Sequence, residues 1–248
     1  MGSTPVHEIL ALRDRWPVFR DREHAGFVLA DMLGSVRGSS AIVLAIPAGG
    51  VPVAAEIARR LGLPLDVAVV SKILLPWTTE AGFGAVAFDG TIWINEDSVS
   101  RHRLKQSDVE RSTAEARVKV QRRVKALRGG RPFPDLAGRT AILVDDGIAA
   151  GSTLRTAISA LRARGARDIV VAVPTGHAES VKRIATLADA LYCANIRSGY
   201  SFAVADAYEE WRDAGEEEVA AILSCASADR AGRGLNDSIG RLDEPRQR

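Results

Sequence analysis

Five apolar runs punctuate the chain, at residues 41–46, 65–70, 141–144, 168–173 and 190–196, each bounded by polar or turn residues. Short unbroken runs of this kind predict strands buried on both faces, as in a parallel sheet. Helical patterns lie between them over 51–61, 154–164 and 178–187, the first two stopped by Gly62 and Gly165. The resulting βαβαβ order predicts an α/β fold in which right-handed crossovers place helices on the faces of the sheet. Two segments read differently: 85–88 and 91–95 alternate and are joined by Asp89-Gly90, the signature of a β-hairpin. Residues 105–127 carry Val109, Ala116, Val120, Val124 and Leu127 as an apolar stripe in a charged segment, which predicts a long amphipathic helix. Near the start, Asp21 is placed to cap a helix running through Phe27 and Leu33, and Arg20 and Arg22 read as solvated residues of the helix start, the alternative being that they reach a substrate phosphate. Residues 1–18 hold Val6, Ile9, Leu10 and Leu12, suited to a short amphipathic helix or a docked arm. The polar, Arg-rich stretch after Ser227 reads as a mobile tail. The expected division is an arm at 1–18, one main domain at 19–225 and a tail at 226–248.

The chemistry gathers where the run 141–144 ends. Asp145 and Asp146 follow it, then the small-residue turn Gly147-Ile148-Ala149-Ala150-Gly151, and a helical pattern opens near Ser152 and Thr153. A turn of small residues lets amides converge, and the helix start adds its open N–H groups and positive dipole end, so the turn predicts a phosphate cup. Carboxylates cannot bind the same anion; they suit sugar hydroxyls or a hydrated Mg²⁺. Phosphate and vicinal hydroxyls together describe a ribose 5-phosphate. A Walker loop is excluded, because no Lys follows Gly151. Pro47-Ala48-Gly49-Gly50 forms a second strand-to-helix turn, and in a parallel sheet two such turns can face one crevice. Lys72 follows the run 65–70 and is either a cation beside that crevice or a snorkelling surface lysine. Pro174-Thr175-Gly176 is expected as a third loop at the same edge, contributing to an acceptor pocket.

Residues 144–153, Val-Asp-Asp-Gly-Ile-Ala-Ala-Gly-Ser-Thr, resemble the phosphoribosyl-pyrophosphate (PRPP) motif of the type I phosphoribosyltransferases. The resemblance implies that fold: a parallel sheet flanked by helices, a β-hairpin flap and a small hood. It implies transfer of a 5-phosphoribosyl group from PRPP, bound with Mg²⁺, to a small nitrogenous acceptor, with release of pyrophosphate. Asp145 and Asp146 would hold the ribose, residues 147–153 the 5-phosphate, and Ala48, Gly49, Gly50 and Lys72 the diphosphate, with no protein metal site proper. Residues 74–84 occupy the place of the flexible lid, and 202–211 that of the hood, where Phe202 or Trp211 would stack a flat acceptor or pack a terminal helix. The sequence departs from the family pattern at Ala48, where Arg is frequent, at Ala150, where Thr is frequent, and at Ala149, where 6-oxopurine enzymes carry Asp. The last departure implies that hypoxanthine and guanine are poor acceptors.

Composition removes other classes. The 248 residues carry a net charge of +2 with both signs interspersed, so neither a nucleic-acid face nor a membrane face is expected. With no apolar run of membrane length and no signal-peptide layout, a cytoplasmic location is expected; a homo-oligomer is compatible with the chain. Cys193 and Cys225 read as buried free thiols, and the four histidines show no zinc spacing. Two readings besides the transferase stay open: a PRPP or nucleotide-binding regulatory module without catalysis, and a ribose-phosphate hydrolase or phosphorylase.

Overall fold

The computed structural model describes residues 4–226. All but the first residue of the expected tail therefore lies outside the described residues. The strands are β1 (Val6–His7), β2 (Ile42–Ala45), β3 (Leu65–Val67), β4 (Val70–Leu74), β5 (Gly82–Ala87), β6 (Ile92–Ile94), β7 (Thr140–Val144), β8 (Asp168–His177) and β9 (Ala190–Arg197). The helices are α1 (Arg22–Met32), α2 (Gly50–Leu61), α3 (Glu96–Arg101), α4 (Gln106–Arg128), α5 (Ser152–Ala163) and α6 (Ala178–Ala185), with a further helix over residues 216–226. Six strands form a parallel sheet in the order β1-β9-β8-β7-β2-β3, and β4, β5 and β6 form a separate antiparallel sheet.

The core follows from strand alternation. Val43, Ala45, Ile142 and Val144 face a layer made by α1, α2, α4 and the helix at 216–226, through Leu29, Ile57, Val120 and Val219. Ile42, Leu44, Ala141 and Leu143 face α5 and α6 through Leu154, Ile158, Leu161 and Ile184. A strand with a helix layer on both sides must be apolar at every position, which is why these strands appear in the sequence as unbroken runs. Asp21 caps α1 by accepting from the His24 amide at 2.7 Å, and Gly62 and Gly129 end α2 and α4 in the left-handed conformation.

Four expectations are corrected. The run 65–70 is two strands in two sheets: Ala68 still donates to Ala45 O, and the chain then leaves to start β4 in the small sheet. Hydrophobicity alone cannot locate that exit, since both sheets are buried there. The long connection at 74–84 is a tighter hairpin, with Leu75 N bonded to Ala81 O and β5 already under way at Gly82. Pro174-Thr175-Gly176 is not a loop: β8 continues to His177, pairing Thr175 with Asn195 and Gly176 with Ile196. Turn residues occur there for packing, because a Cβ on Gly176 would lie 2.6 Å from the Val181 side chain on α6. Cys193 is buried and free as expected, but Cys225 is exposed.

Of the two expectations for the N-terminal residues, a short amphipathic helix or a docked arm, the structure shows the docked arm. Val6–His7 pairs with Leu191–Tyr192, and a 3-10 turn follows at Leu10–Leu12. Asn195, fully buried, fixes this segment: its amide donates to Leu12 O and Arg15 O while its carbonyl oxygen accepts from Thr175 Oγ1 at 2.7 Å. Asn195→Ala removes all three bonds, leaves the buried Thr175 hydroxyl without this acceptor, and is expected to cost roughly 1–3 kcal/mol. Urea unfolding would show this as a lower midpoint at unchanged slope; an unshifted midpoint would mean that the backbone pairing of β1 holds the segment alone.

Candidate functional site

The site begins where β7 and β2 end side by side, Ala45 being paired with Val144. From β7 the chain runs through Asp145 and Asp146 into the turn, and Ile148 anchors that turn from below. Its side chain is buried, its amide donates to Thr175 O at 2.9 Å and its carbonyl accepts from His177 N at 3.0 Å. The Ile148 amide is therefore spent on architecture, and the open donors lie further along. Ala149 and Ala150 are exposed, Gly151 is left-handed with φ +80°, and the first intrahelical bond of α5 runs from Arg155 N to Gly151 O at 3.0 Å. The amides of Ser152, Thr153 and Leu154 precede that bond and face outward with the helix dipole behind them.

The second turn lies directly against the first. Ile46 N donates to Val144 O at 2.8 Å, the Pro47–Ala48 peptide is cis, and α2 starts at Gly50. A Cβ on Gly49 would fall 1.8 Å from Asp146 Oδ2, and one on Gly50 would fall 2.7 Å from Val144 O and 2.9 Å from the Asp145 Cα. No side chain fits at either position. The structure thus brings residues 48–50 into contact with residues 145–146, at the edge where both helices begin.

The two acids have different surroundings. Asp146 Oδ2 accepts from Arg22 Nε at 3.0 Å and Nη2 at 2.9 Å, and the Asp146 carbonyl accepts from the Tyr208 hydroxyl at 2.7 Å. Arg22 is buried rather than solvated, which corrects the expectation for that residue; Arg20, beside it, is exposed. Arg22 also donates to Arg212 O at 2.6 Å, and its guanidinium lies 4.0 Å from the Trp211 ring. Nothing in the local sequence Arg20-Asp21-Arg22-Glu23 distinguishes this arginine from its neighbours. Asp145, half-buried, accepts from the neighbouring Asp146 amide at 2.9 Å. Desolvation pushes its carboxyl well above the usual carboxylate range, the charge of Asp146 adds to this, and the amide bond and Lys72 oppose it. Burial likewise pushes the Tyr208 phenol up, assisted by Asp146.

Cations flank the site from two directions. Lys72, on β4, is exposed and its field reaches Asp145. Arg123, missed by sequence reasoning because it lies in a basic stretch of α4, is largely buried. It directs Nη1 to Pro47 O at 3.4 Å and Nε to Glu216 at 3.4 Å. On the far side, Val204 covers Gly147, where a Cβ would meet it at 2.6 Å. His177 and Phe202 meet edge to face at 5.9 Å, and Asp206 is held by Arg197 at 3.0 Å. Trp211 stacks on Arg22 and remains 39% exposed. Among the described residues no group of three metal-ligating side chains occurs. Nor, among the described residues, is any helix long and apolar enough to cross a membrane.

The perturbation of Asp145 has a stability consequence. A carboxyl that holds its proton more tightly folded than unfolded favours the fold below its unfolded value, and that contribution is lost as pH rises through the folded value. Asp145→Asn is therefore expected to raise the thermal midpoint by a few degrees at about pH 7.5, with the gain vanishing below about pH 4, where aspartate is protonated in both states. A gain that is equal at both pH values would show that desolvation of the charge is not the cause.

Comparison with known proteins places these features in a lineage. Residues 95–209 match the model of the phosphoribosyl transferase domain. A protein of Mycobacterium tuberculosis strain H37Rv, provisionally named a phosphoribosyl transferase, is 39% identical over 221 residues, which cover 89% of this chain and 50% of that protein; its counterpart in strain CDC 1551 matches equally. The chain spans about half the length of these curated relatives. The crystal structure of TT1426 from Thermus thermophilus shares 36% identity, covers 83% of this chain and 97% of its own, and superposes with a TM-score of 0.68. With the motif, the parallel sheet, the antiparallel hairpin sheet and these relatives in agreement, residues 95–209 are assigned to the phosphoribosyl transferase domain family.

Proposed function

We propose that the protein transfers a 5-phosphoribosyl group from PRPP to a nitrogenous acceptor and releases pyrophosphate. The observation that carries this reading is the contact between two strand-to-helix turns of different character. One offers open amides and hydroxyls beside carboxylates, and the other offers glycine backbone where no side chain fits. A ligand with a phosphate, a diol and a diphosphate matches that order. The open amides at Ser152–Leu154 and the Ser152 and Thr153 hydroxyls would take the 5-phosphate. Asp145, and the Asp146 Oδ1 left over by Arg22, would accept from the ribose hydroxyls, while Gly49, Gly50 and Lys72 would face the diphosphate. Ala48 brings no charge there, and the buried Arg123 behind Pro47 supplies part of the missing cation.

In the reaction the C1–O bond to the diphosphate breaks, its electron pair leaving with pyrophosphate, and the acceptor nitrogen donates a lone pair to C1. Charge at C1 turns positive on the way, so fixed carboxylates near the ribose and cations near the leaving group both favour the transition state. The two adjacent carboxylates suit a hydrated Mg²⁺ that arrives on the diphosphate, with Asp145 the residue free to hold it, and no closed protein cage is required. Bound there, Mg²⁺ supplies positive charge to the departing oxygens. One observation favours a rival reading, a ribose-phosphate-binding module: Asp146 is already committed to Arg22 and to the fold.

Pyrophosphate release from PRPP and Mg²⁺, measured over purine, pyrimidine and pyridine acceptors with a no-acceptor control, separates these readings. Acceptor-dependent release is expected; release without acceptor indicates a hydrolase, and binding without release indicates the module. Asp145→Asn should lower turnover roughly 10- to 150-fold, the value of a charge-assisted hydrogen bond of about 1.5–3 kcal/mol.

Hypoxanthine and guanine should be poor acceptors, because Ala149 carries no proton-accepting group and Asp206 is engaged by Arg197. Efficient use of either base by the wild type would overturn this, and a gain confined to Ala149→Asp would support it.

A further inference from the structure

Asp146 is held at its main chain by Tyr208 and at its side chain by Arg22 of α1, and the segment that carries Tyr208 also contacts Arg22. Residues 207–210 lie along residues 18–20, with Phe19 bridged to Tyr208, Glu209 N donating to Phe19 O and Glu210 N to Arg20 O, each at 2.8 Å. From this segment the Tyr208 hydroxyl reaches the Asp146 carbonyl, and the guanidinium whose edge holds the Asp146 carboxylate sits over the Trp211 ring, 4.0 Å from its centroid. Arg22 is the joint. Its Nε–Nη2 edge is used on one carboxylate oxygen, its Nη1 on Arg212 O, and its face on Trp211. Only a planar fork can do all three at once; an ammonium would supply charge without edge or face. Because Asp146 Oδ2 also lies over Gly49, the carboxylate cannot turn without disturbing either that turn or Arg22.

A purely stabilising role explains this poorly. A buried ion pair contributes little net stability after desolvation, and apolar residues of similar size would pack as well. What the arrangement does provide is a fixed direction for Asp146 Oδ1 and a shared constraint between that carboxylate and residues 202–212. We propose that Arg22 is a positioning residue that couples the acid pair to the segment 202–212, so that loading of the ribose-side carboxylate and ordering of the neighbouring wall occur together. The coupling is a property of the ligand-free protein; only its consequence for the ligand rests on the ribose-phosphate reading above.

The test has two arms. In the ligand-free protein, amide exchange over 202–212 and the fluorescence of Trp211 are compared in wild type, Arg22→Gln, Asp146→Asn and the double variant, with Trp211→Phe identifying the signal among the four tryptophans. Each single variant should speed exchange by about tenfold, and the double variant should be no worse than either single, as expected of residues that act through one contact. Additive effects would overturn the proposal, as would full rescue by Arg22→Lys, which would reduce the role to charge. In the second arm ribose 5-phosphate is titrated by calorimetry and by fluorescence. Wild type should bind with a change in the Trp211 signal, and Arg22→Gln should bind at least about tenfold more weakly and without that change. Calorimetric binding with a silent Trp211 would overturn the coupling. Absence of any calorimetric binding would instead remove the ribose-phosphate reading, and the ligand-free arm would still decide the role of Arg22.

Discussion

The approach of Gly49 and Gly50 to Asp145 and Asp146 is the constraint on which the site depends. Adjacent parallel strands in matched register, Ile42 against Ala141 through Ala45 against Val144, deliver two turns to the same height. Backbone then meets backbone at distances that exclude a Cβ. Two helices start from that contact, so their positive ends converge beside the two carboxylates; the open amides are those of α5, because the Gly50 and Val51 amides of α2 are bonded to Ile46 O and Ala48 O. The two turns differ in what they bring: the carboxylates stand only on the first, and glycine backbone that excludes a side chain only on the second.

Placing two carboxylates in sequence and half-burying both creates a like-charge problem that the structure resolves unequally. Asp146 receives a buried guanidinium and a hydrogen bond to its carbonyl, while Asp145 receives the Asp146 amide and the field of Lys72 but no guanidinium. One acid is thereby fixed and the other is left with a raised proton affinity, ready for a partner that the folded chain does not supply. Such unmet demand is a feature of functional sites more than of structural ion pairs. The positive side is distributed in the same manner, with Lys72 exposed at the mouth and Arg123 buried behind the Pro47 carbonyl.

Family membership fixes the architecture and leaves the acceptor to be learned from the site, because one fold serves many chemistries through its loops. The wall that would meet an acceptor is built from Val204 against Gly147, His177 against Phe202, and Arg197 bound to Asp206. Its polar groups are paired to one another to a greater degree than those of the phosphate side. The described residues account for one such domain, and the curated relatives are about twice as long as the stretch they share with it.

The sequence by itself determined the parallel α/β sheet, the long helix α4, the hairpin at Asp89-Gly90 and the small-residue strand-to-helix turn at 145–153, because each rests on local rules: period, capping, turn chemistry and residue size. It could not determine where the run 65–70 changes sheets, since burial looks the same in both, or that Pro174 and Gly176 continue a strand, since the pairing partner is Asn195–Ile196 on β9. Nor could it show that Val6–His7 adds a sixth strand or that the Ile148 amide is consumed by Thr175. Arg22 is the clearest case. Its neighbours in the chain describe a solvated helix start, and only tertiary structure brings Asp146, Arg212 and Trp211 around it, from 124, 190 and 189 residues away. Contacts between residues so distant in sequence leave no periodic trace, because their geometry is set by how layers pack and not by what adjoins them along the chain.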